Sequence, residues 1–276
     1  MHRKTILIDQ QEISYLDSGD APKTLVFIHG MGCNALSWKH QIQDLSNVCR
    51  CIAVDLPAHG FSKSSPFKLS IYNYAELLFK FFTALKLNDI RIIAHSMGAQ
   101  VSLMYALKYA STLNKLYLIA PAGFERFNFY EKNLIKKSLD FLNLKPMVRN
   151  IEILSAWLPP KEPSIQEVLM DIENGSNNQN IQDYLATIAQ CTNAMLDEPV
   201  LDYLQSITIE MRIVYGLKDK MIPNPISIHK NTLDHIKNVQ TLVPSAQVFE
   251  INDAGHFPQI ERFNRVNADI KTYFGL

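Results

Sequence analysis

The amino-acid sequence predicts an α/β fold: a mostly parallel, eight-stranded sheet with helices on both faces and a helical lid insertion. Two observations lead to this prediction. Short apolar runs alternate with helical patterns along most of the chain, which is typical of parallel strands joined by crossover helices. The alternation is interrupted once, between residues 123 and 212, where helical patterns and polar stretches occur without a convincing strand.

Eight segments have the pattern of a β-strand. The first two, KTILIDQ and EISYLDS, alternate apolar and polar residues, as half-buried edge strands do. The middle segments are continuous apolar runs, which are typical of strands covered on both faces. After the first two, the strand segments are TLVFIHG, CIAVDLP, IRIIAHS, LYLIAPAG, RIVYG and QVFEIN.

Helical patterns separate the later strands and follow the last one. They cover Trp38–Leu45, Ile71–Leu87, Met97–Ala110, Pro225–Val239 and Pro258–Phe274. We assign residues 1–121 and 208–276 to the α/β core, and residues 122–207 to a helical lid above the carboxyl ends of the strands. An appendage that only stabilises the core is the alternative interpretation of this insertion.

Composition limits the classes of protein to which the chain can belong. Of its 276 residues 47% are hydrophobic, which is enough for one large core. The 27 basic and 27 acidic residues balance, so there is no overall basic field for nucleic acid. No apolar stretch approaches the roughly 18 residues that cross a membrane, and the start lacks a signal-peptide pattern. We expect a cytoplasmic protein that binds a small-molecule substrate, and neither nucleic acid nor a membrane.

The cysteines and histidines do not form a recognisable metal-binding pattern. Four cysteines occur, at positions 33, 49, 51 and 191, and no pair has CxxC spacing. An HExxH motif is also absent. We therefore expect buried, reduced thiols, no metal site and no cofactor.

The segment AHSMG, residues 94–98, places a serine at a very tight bend. An apolar strand leads into Ser96 and a helical pattern follows at once, which is the context of a nucleophile elbow. Such a bend projects the serine hydroxyl outward and needs small residues two positions away, which Ala94 and Gly98 supply. An ordinary serine cap of a helix is the alternative. We interpret Ser96 as a catalytic nucleophile.

A nucleophilic serine needs a general base, and the base needs a carboxylate that orients it. Asp219 follows the strand RIVYG, and His256 follows the last strand. The order serine, aspartate, histidine fits an elbow of this kind. Asp55 and His59 also lie at a strand end, but they precede the serine and fit that order poorly. Further acidic rivals near the histidine are Glu250 and Asp253.

An oxyanion formed at Ser96 needs backbone N–H donors. The Met97 N–H is the first predicted donor, because it lies at a helix N-terminus. The Met31 N–H is the second, since glycines at positions 30 and 32 allow the backbone to turn towards one point. A plain turn between strand and helix explains these glycines equally well. We expect His29, in the same loop, to form structural hydrogen bonds.

Five motifs together carry a resemblance to a known family. They are HGMG at 29–32, DLPAHGFS at 55–62, AHSMGA at 94–99, GLKDKMIP at 216–223 and GHFPQIERF at 255–263. With these motifs the sequence resembles the α/β-hydrolase family, in its serine esterase-like branch, over nearly the whole chain except the insertion. The dehalogenase and epoxide-hydrolase branches use aspartate where this chain has serine.

The resemblance implies the α/β-hydrolase fold with Ser96 as nucleophile, His256 as base and Asp219 as its partner. It also implies an oxyanion hole formed by the amides of Met31 and Met97, and no cofactor or metal. Two positions depart from the family pattern, because alanine replaces the more usual glycine at residues 58 and 94. Each departure adds one methyl group.

These inferences predict a serine hydrolase that cleaves carboxylic esters of a small or medium apolar acyl group through an acyl-enzyme. The lid is rich in large apolar residues, and we expect His95, Phe124 and Trp157 to line the substrate pocket. The same three catalytic residues would also serve a C–C bond hydrolase, an amidase or an acyltransferase. A small-molecule receptor of the same fold is a further alternative.

Charge divides sharply within the predicted lid. Residues 122–161 carry seven basic and four acidic side chains, whereas residues 162–207 carry eight acidic and no basic ones. Attraction between the two halves and solvated helix faces are two explanations. The third is that the basic half binds an acidic acyl-carrier protein, since family members that cleave acyl-carrier-protein methyl esters look broadly similar. Its basic residues include Lys132, Lys136, Lys137, Lys145 and Arg149.

Overall fold

One eight-stranded sheet forms the centre of the structure, a computed structural model that describes residues 1–62, 64–143, 163–176, 181–228 and 231–276. The strands lie in the order β1-β2-β4-β3-β5-β6-β7-β8. Strand β2 pairs antiparallel with β1 and β4, and the pairs from β4 to β8 are parallel. The predicted sheet is therefore confirmed. Its strands are β1 His2–Ile8, β2 Gln11–Asp17, β3 Thr24–Ile28, β4 Arg50–Val54, β5 Ile90–His95, β6 Leu113–Ile119, β7 Glu210–Gly216 and β8 Gln247–Ile251.

Helices cover both faces of this sheet, as predicted. Helices α2, α3 and α7 pack on one face and α1 and α9 on the other, each with its own apolar cluster. The α-helices of the described residues are α1 Lys39–Leu45, α2 Ile71–Ala84, α3 Met97–Tyr109, α4 Phe129–Asn143, α5 Pro163–Ser176, α6 Ile181–Asp197, α7 Thr232–Leu242, α8 Pro258–Glu261 and α9 Phe263–Phe274. Short 3₁₀ helices occur at Ala35–Trp38, Ala110–Thr112 and Leu201–Ser206.

Strand β4 shows why the middle strands are apolar at every position. Ile52 and Val54 belong to the cluster under α2 and α3, whereas Cys51 and Ala53 belong to the cluster under α1 and α9. Successive side chains of a strand point to opposite faces, and here both faces are covered by helices. The continuous apolar runs are therefore the direct result of a two-sided core.

Two of the predicted helices differ substantially from the structure, whereas the other three differ by three residues or fewer at one end. The helix predicted at Pro225–Val239 begins only at Thr232, because Asn231 is extended and its side chain accepts the Asp234 N–H as an N-cap. The helix predicted at Pro258–Phe274 is two helices, since Arg262 between them has a non-helical φ of −137°. Both errors arise from local backbone conformations that apolar spacing does not encode.

The insertion between β6 and β7 contains α4, α5 and α6. Its described residues are therefore largely helical, as predicted. Its basic first half and acidic second half contact each other directly. Lys136 Nζ lies 2.9 Å from Asp197 Oδ1, and the Arg126 guanidinium pairs with Asp202. Ion pairs between the oppositely charged halves thus connect the two parts of the insertion. Lys145 and Arg149 lie outside the described residues.

The cysteines and the helix lengths were also considered in the predictions from the sequence. All four cysteines are free and buried, and the sulfurs of Cys49 and Cys51 lie 3.8 Å apart. Among the helices that the structure describes, none has both the length and the apolar composition required to traverse a bilayer.

Gly98→Ala should destabilise the fold, although alanine normally favours a helix over glycine. A Cβ at Gly98 would lie 2.4 Å from the His29 carbonyl oxygen and 2.6 Å from that of Ile28. Both atoms belong to the backbone at the end of β3, so α3 would have to move away from the sheet. We expect a loss of about 1–3 kcal/mol of unfolding free energy, measured by urea denaturation. Unchanged or increased stability would contradict this packing.

Candidate active site

Ser96 lies in the sharp turn between β5 and α3, with a φ of 52° and a ψ of −117°. A non-glycine residue in such a conformation costs about 1–3 kcal/mol, so the surrounding structure must hold it. The Ser96 N–H donates to the Ile119 carbonyl at 3.0 Å, and the Ser96 carbonyl accepts the N–H groups of Ala99 and Ala122. These bonds tie the turn to β6 and to α3. The side chain remains partly exposed at the carboxyl edge of the sheet.

A chain of hydrogen bonds connects Ser96, His256 and Asp219. The Ser96 Oγ lies 3.1 Å from His256 Nε2, and His256 Nδ1 lies 2.8 Å from Asp219 Oδ2. The other oxygen of Asp219 accepts the N–H groups of Met221 and Ile222, at 2.7 and 3.0 Å. Because the carboxylate is held at both oxygens, it favours the imidazole tautomer with hydrogen on Nδ1. That tautomer leaves Nε2 free to accept the serine proton.

The loop that carries His256 is anchored on both sides. The Glu261 carboxylate accepts the N–H groups of Gly255, at 2.8 Å, and of Phe257, at 3.0 Å. The His95 Nε2 lies 2.8 Å from the His256 carbonyl oxygen. Burial holds the pKa of His95 well below its usual value, so this ring is neutral and donates from Nε2. His95 thus holds the backbone of His256 in place through this hydrogen bond.

The predicted oxyanion donors lie next to Ser96. Met97 is the first residue of α3, and the N–H groups of a first turn have no partner within their helix. Met31 lines the same cavity as Ser96. The backbone between β3 and Met31 approaches the serine closely, since a Cβ on Gly30 would lie 3.1 Å from Ser96 Cβ. The two amides therefore remain the predicted oxyanion hole.

Gly32 has a structural reason to be glycine. Its φ of 73° lies in the left-handed region, and a Cβ there would lie 2.6 Å from the Tyr184 hydroxyl. That hydroxyl donates to the Gly32 carbonyl at 3.2 Å. The loop after β3 is thus fastened to α6 of the insertion.

The earlier rivals Asp55 and His59 are part of a buried structural network. Asp55 accepts hydrogen bonds from Arg3 Nη1, at 2.6 Å, and from the Ala35 N–H, at 2.7 Å. The His59 Nδ1 lies 3.0 Å from the Pro57 carbonyl oxygen. The structure does not bring either side chain into the hydrogen-bonded chain at Ser96. His29 also has the expected structural bonds, because its Nε2 accepts the Leu56 N–H at 3.0 Å.

A cavity of about 290 Å³ opens beside Ser96 and His256. Most of its wall is apolar, and it lies between the insertion and the loops after β6 and β7. This composition is typical of a small-molecule pocket with few polar groups. Its apolar residues are Met31, Ala122, Phe127, Ile135, Ile188, Met195, Leu196, Pro199, Leu201, Met221 and Ile222.

Two of the three predicted pocket residues do not line this cavity, which corrects the expectation. His95 is 2% exposed, because its ring lies behind His256 and contacts its backbone. Phe124 is fully buried in the core cluster beneath α3 and borders a different surface depression. The third residue, Trp157, lies outside the described residues.

A carboxyl group that was not predicted from the sequence lies in the cavity wall. Glu125, just after β6, is 9% exposed and lines the same cavity as Ser96 and His256. Its Oε1 accepts the Asn224 N–H at 2.8 Å. Burial, the largest cause, and the charge of Asp219 together raise the pKa of Glu125 to about 7, although the hydrogen bond from the Asn224 N–H lowers it. The available signal was a charged residue inside the apolar segment PAGFERF, immediately after a strand end.

The fold and these contacts define a class of protein. A serine in a strand–turn–helix bend, followed along the chain by a bonded aspartate and histidine, is the arrangement of α/β-fold hydrolases. The sequence model of the α/β-hydrolase fold family matches residues 23–263, so the chain belongs to this family.

Two hydrolases are similar to this chain in sequence, and a solved esterase structure is similar to it in fold. A 2-hydroxy-6-oxononadienedioate/2-hydroxy-6-oxononatrienedioate hydrolase of Pseudomonas putida is 26% identical over 95% of this chain and 92% of that protein. Monoacylglycerol lipase ABHD6 of Homo sapiens is 24% identical over 72% of this chain and 62% of that protein. The solved structure of an esterase from Thermogutta terrifontis has a TM-score of 0.79 and 21% identity, covering 99% and 98% of the two chains. These similarities support a hydrolase.

Glu125→Gln should change how stability depends on pH. The native state keeps the Glu125 proton up to about pH 7, whereas the ordinary pKa is 4.5. Its contribution to stability is therefore complete below about pH 4.5 and is lost as pH rises to about 7. Glutamine cannot ionise, so the variant should gain up to about 3 kcal/mol over the wild type across this range.

Urea denaturation at several pH values between 4.5 and 8 measures this difference. The control is Glu131→Gln on α4, which lies outside the cavity and should follow the wild-type curve. Parallel curves for Glu125→Gln and the wild type would contradict a buried carboxyl that titrates near neutrality.

Proposed function

We propose that the protein is a serine hydrolase that cleaves carboxylic esters of a small or medium apolar acyl group. One observation carries this proposal: the Ser96 hydroxyl contacts His256 Nε2 at 3.1 Å and faces an apolar cavity. An ordinary helix cap would use its hydroxyl to accept a nearby helix N–H. The Ser96 side chain forms no such cap bond to α3.

The reaction would begin with the transfer of the Ser96 proton to His256 Nε2. The Ser96 oxygen then attacks the ester carbonyl, and the N–H groups of Met31 and Met97 stabilise the oxyanion. His256 next protonates the leaving alcohol, which departs from the acyl-enzyme. A water molecule, activated by the same imidazole, releases the acid and restores Ser96. Asp219 stabilises the imidazolium during both steps.

The cavity supports the acyl specificity. Its volume of about 290 Å³ is at the small end of the range for ligand pockets. The wall beside Ser96 contains Met31, Ile188 and Met195, which favour an apolar chain over a charged one. The similarity to a monoacylglycerol lipase also supports an ester substrate.

Amidases, C–C bond hydrolases and acyltransferases would use the same three residues. Comparing p-nitrophenyl esters with matched anilides, and water with added alcohols as acceptors, separates these reactions. The proposal requires that esters are cleaved much faster than anilides and that water is the main acceptor.

Ser96→Ala should lower kcat/KM for p-nitrophenyl butyrate by about 10⁴-fold, because alanine has no hydroxyl with which to form the acyl-enzyme. A fluorophosphonate probe should label the wild type, and peptide mapping should locate the label at Ser96. Ser102→Ala is the matched control: it lies in the same helix, and its hydroxyl donates to the Gly98 carbonyl. It should retain wild-type turnover. Equal activity of Ser96→Ala and the wild type would disprove the proposal.

Asp219→Asn should lower kcat by about 10³- to 10⁴-fold, because an amide favours the wrong imidazole tautomer. KM should change much less. The control is Asp253→Asn, at the rival acidic position near His256, where the carboxylate bonds the surface residues Arg262 and Arg265. Steady-state kinetics of both variants separate the two positions, and a larger loss in Asp253→Asn would reverse our assignment.

A further inference from the structure

Several polar side chains in the cavity wall form hydrogen bonds to other parts of the protein. The Gln100 amide donates to the carbonyls of Met195 and Glu198, at 3.1 Å each. The Thr192 hydroxyl donates to the Ile188 carbonyl at 2.9 Å. These side chains therefore contribute hydrogen bonds to the insertion, and their roles are structural.

Glu125 differs from Gln100 and Thr192 because its side chain is an ionisable carboxyl that is only 9% exposed. Its two carboxyl oxygens offer about four acceptor positions when ionised. One is used by the Asn224 N–H and another by the Ser227 hydroxyl. A carboxyl that is 9% exposed is expensive to bury without full hydrogen bonding. The remaining capacity lies on the wall of a cavity that also contains Ser96.

We propose that Glu125 is a specificity-determining residue that binds a hydroxyl group of the ester substrate. This inference rests on the proposed function, because it assigns the substrate class of the same cavity. The substrate is therefore an ester with an apolar chain and one hydroxyl group, carried on either its acid or its alcohol part. The hydroxyl satisfies the carboxyl, while the chain fills the apolar wall.

The charges around Glu125 favour a neutral partner over an ionic one. Besides burial, the charge of Asp219 raises the pKa of Glu125, and His256 lowers it. Burial, followed by the charge of Glu125, raises the pKa of the Tyr215 hydroxyl. Arg126 and Lys132 line the cavity, and Arg126 is paired with Asp202. A substrate carboxylate would be repelled by an ionised Glu125, and an ammonium would be repelled by Lys132 in the same wall.

A hydroxyl also suits both protonation states of Glu125. Because its pKa is raised to about 7, acid and carboxylate coexist near neutral pH. A hydroxyl accepts a hydrogen bond from the acid and donates one to the carboxylate. The contact therefore persists across the neutral range, which a purely accepting group would not achieve, because it has no hydrogen to donate to the carboxylate.

The experiment compares two pairs of esters in which a hydroxyl replaces a methyl group of equal size. One pair is 2-hydroxyethyl hexanoate and propyl hexanoate, which differ in the alcohol part. The other is p-nitrophenyl 6-hydroxyhexanoate and p-nitrophenyl heptanoate, which differ in the acyl part. The quantity measured is the ratio of kcat/KM within each pair, for the wild type, Glu125→Leu, Glu125→Gln and Thr192→Val.

The wild type should prefer the hydroxylated member of at least one pair, and Glu125→Leu should reduce that ratio by about tenfold or more. Glu125→Gln can still donate and accept, so its ratio should stay within about threefold of the wild type. Thr192→Val, the matched control on the cavity wall, should keep the wild-type ratio. If Glu125→Leu does not fold, Glu125→Met takes its place, because it also lacks a hydrogen-bonding oxygen.

A ratio is insensitive to a merely structural role, because a displaced Asp219 loop would slow both members of a pair equally. Equal ratios for the wild type and the apolar Glu125 variant in both pairs would overturn the proposal. If such a protein still cleaves esters and is labelled at Ser96, only the role of Glu125 fails. Loss of the proposed function itself would appear as an unlabelled Ser96 and full activity in Ser96→Ala.

Discussion

The hydrogen bond between Ser96 and His256 depends on a backbone conformation that a non-glycine residue rarely adopts. The φ of 52° at Ser96 is maintained by hydrogen bonds to β6 and by the close approach of α3 to the end of β3. That approach is available only because Gly98 has no side chain. The sheet and the first turn of α3 thus hold the strain, and the serine hydroxyl is directed to the edge where the later loops end.

Two carboxyl groups lie close to this serine, and their surroundings give them different chemistry. Asp219 accepts two backbone N–H groups on one oxygen and bonds the His256 ring with the other, so the position of the carboxylate and the tautomer of His256 are set. Glu125 is buried in a largely apolar wall, which raises its pKa to about 7. The first is suited to orienting an imidazole, and the second to binding a neutral polar group of a ligand.

The sequence predicted those parts of the structure that follow from local pattern. Apolar runs located all eight strands, and the bend around Ser96 together with Asp219 and His256 identified the residues that the structure brings together. It did not predict which side chains face the cavity. His95 and Phe124 are apolar or aromatic neighbours of the site, but their rings turn into the core. Glu125 was not predicted, because the burial that raises its pKa is a property of the folded chain.

The sequence by itself determined the order of strands and helices along the chain, the α/β-hydrolase architecture and the positions of Ser96, Asp219 and His256 at strand ends. Strand and helix patterns are local, and the carboxyl ends of parallel strands necessarily meet at one edge of the sheet. Only the tertiary structure decided the hydrogen bonds among those side chains, the shape of the cavity and the state of Glu125. These depend on distances and burial between segments that are far apart in the sequence: the bonded pairs Asp219–His256, Glu125–Asn224 and Ser96–His256 are separated by 37, 99 and 160 residues.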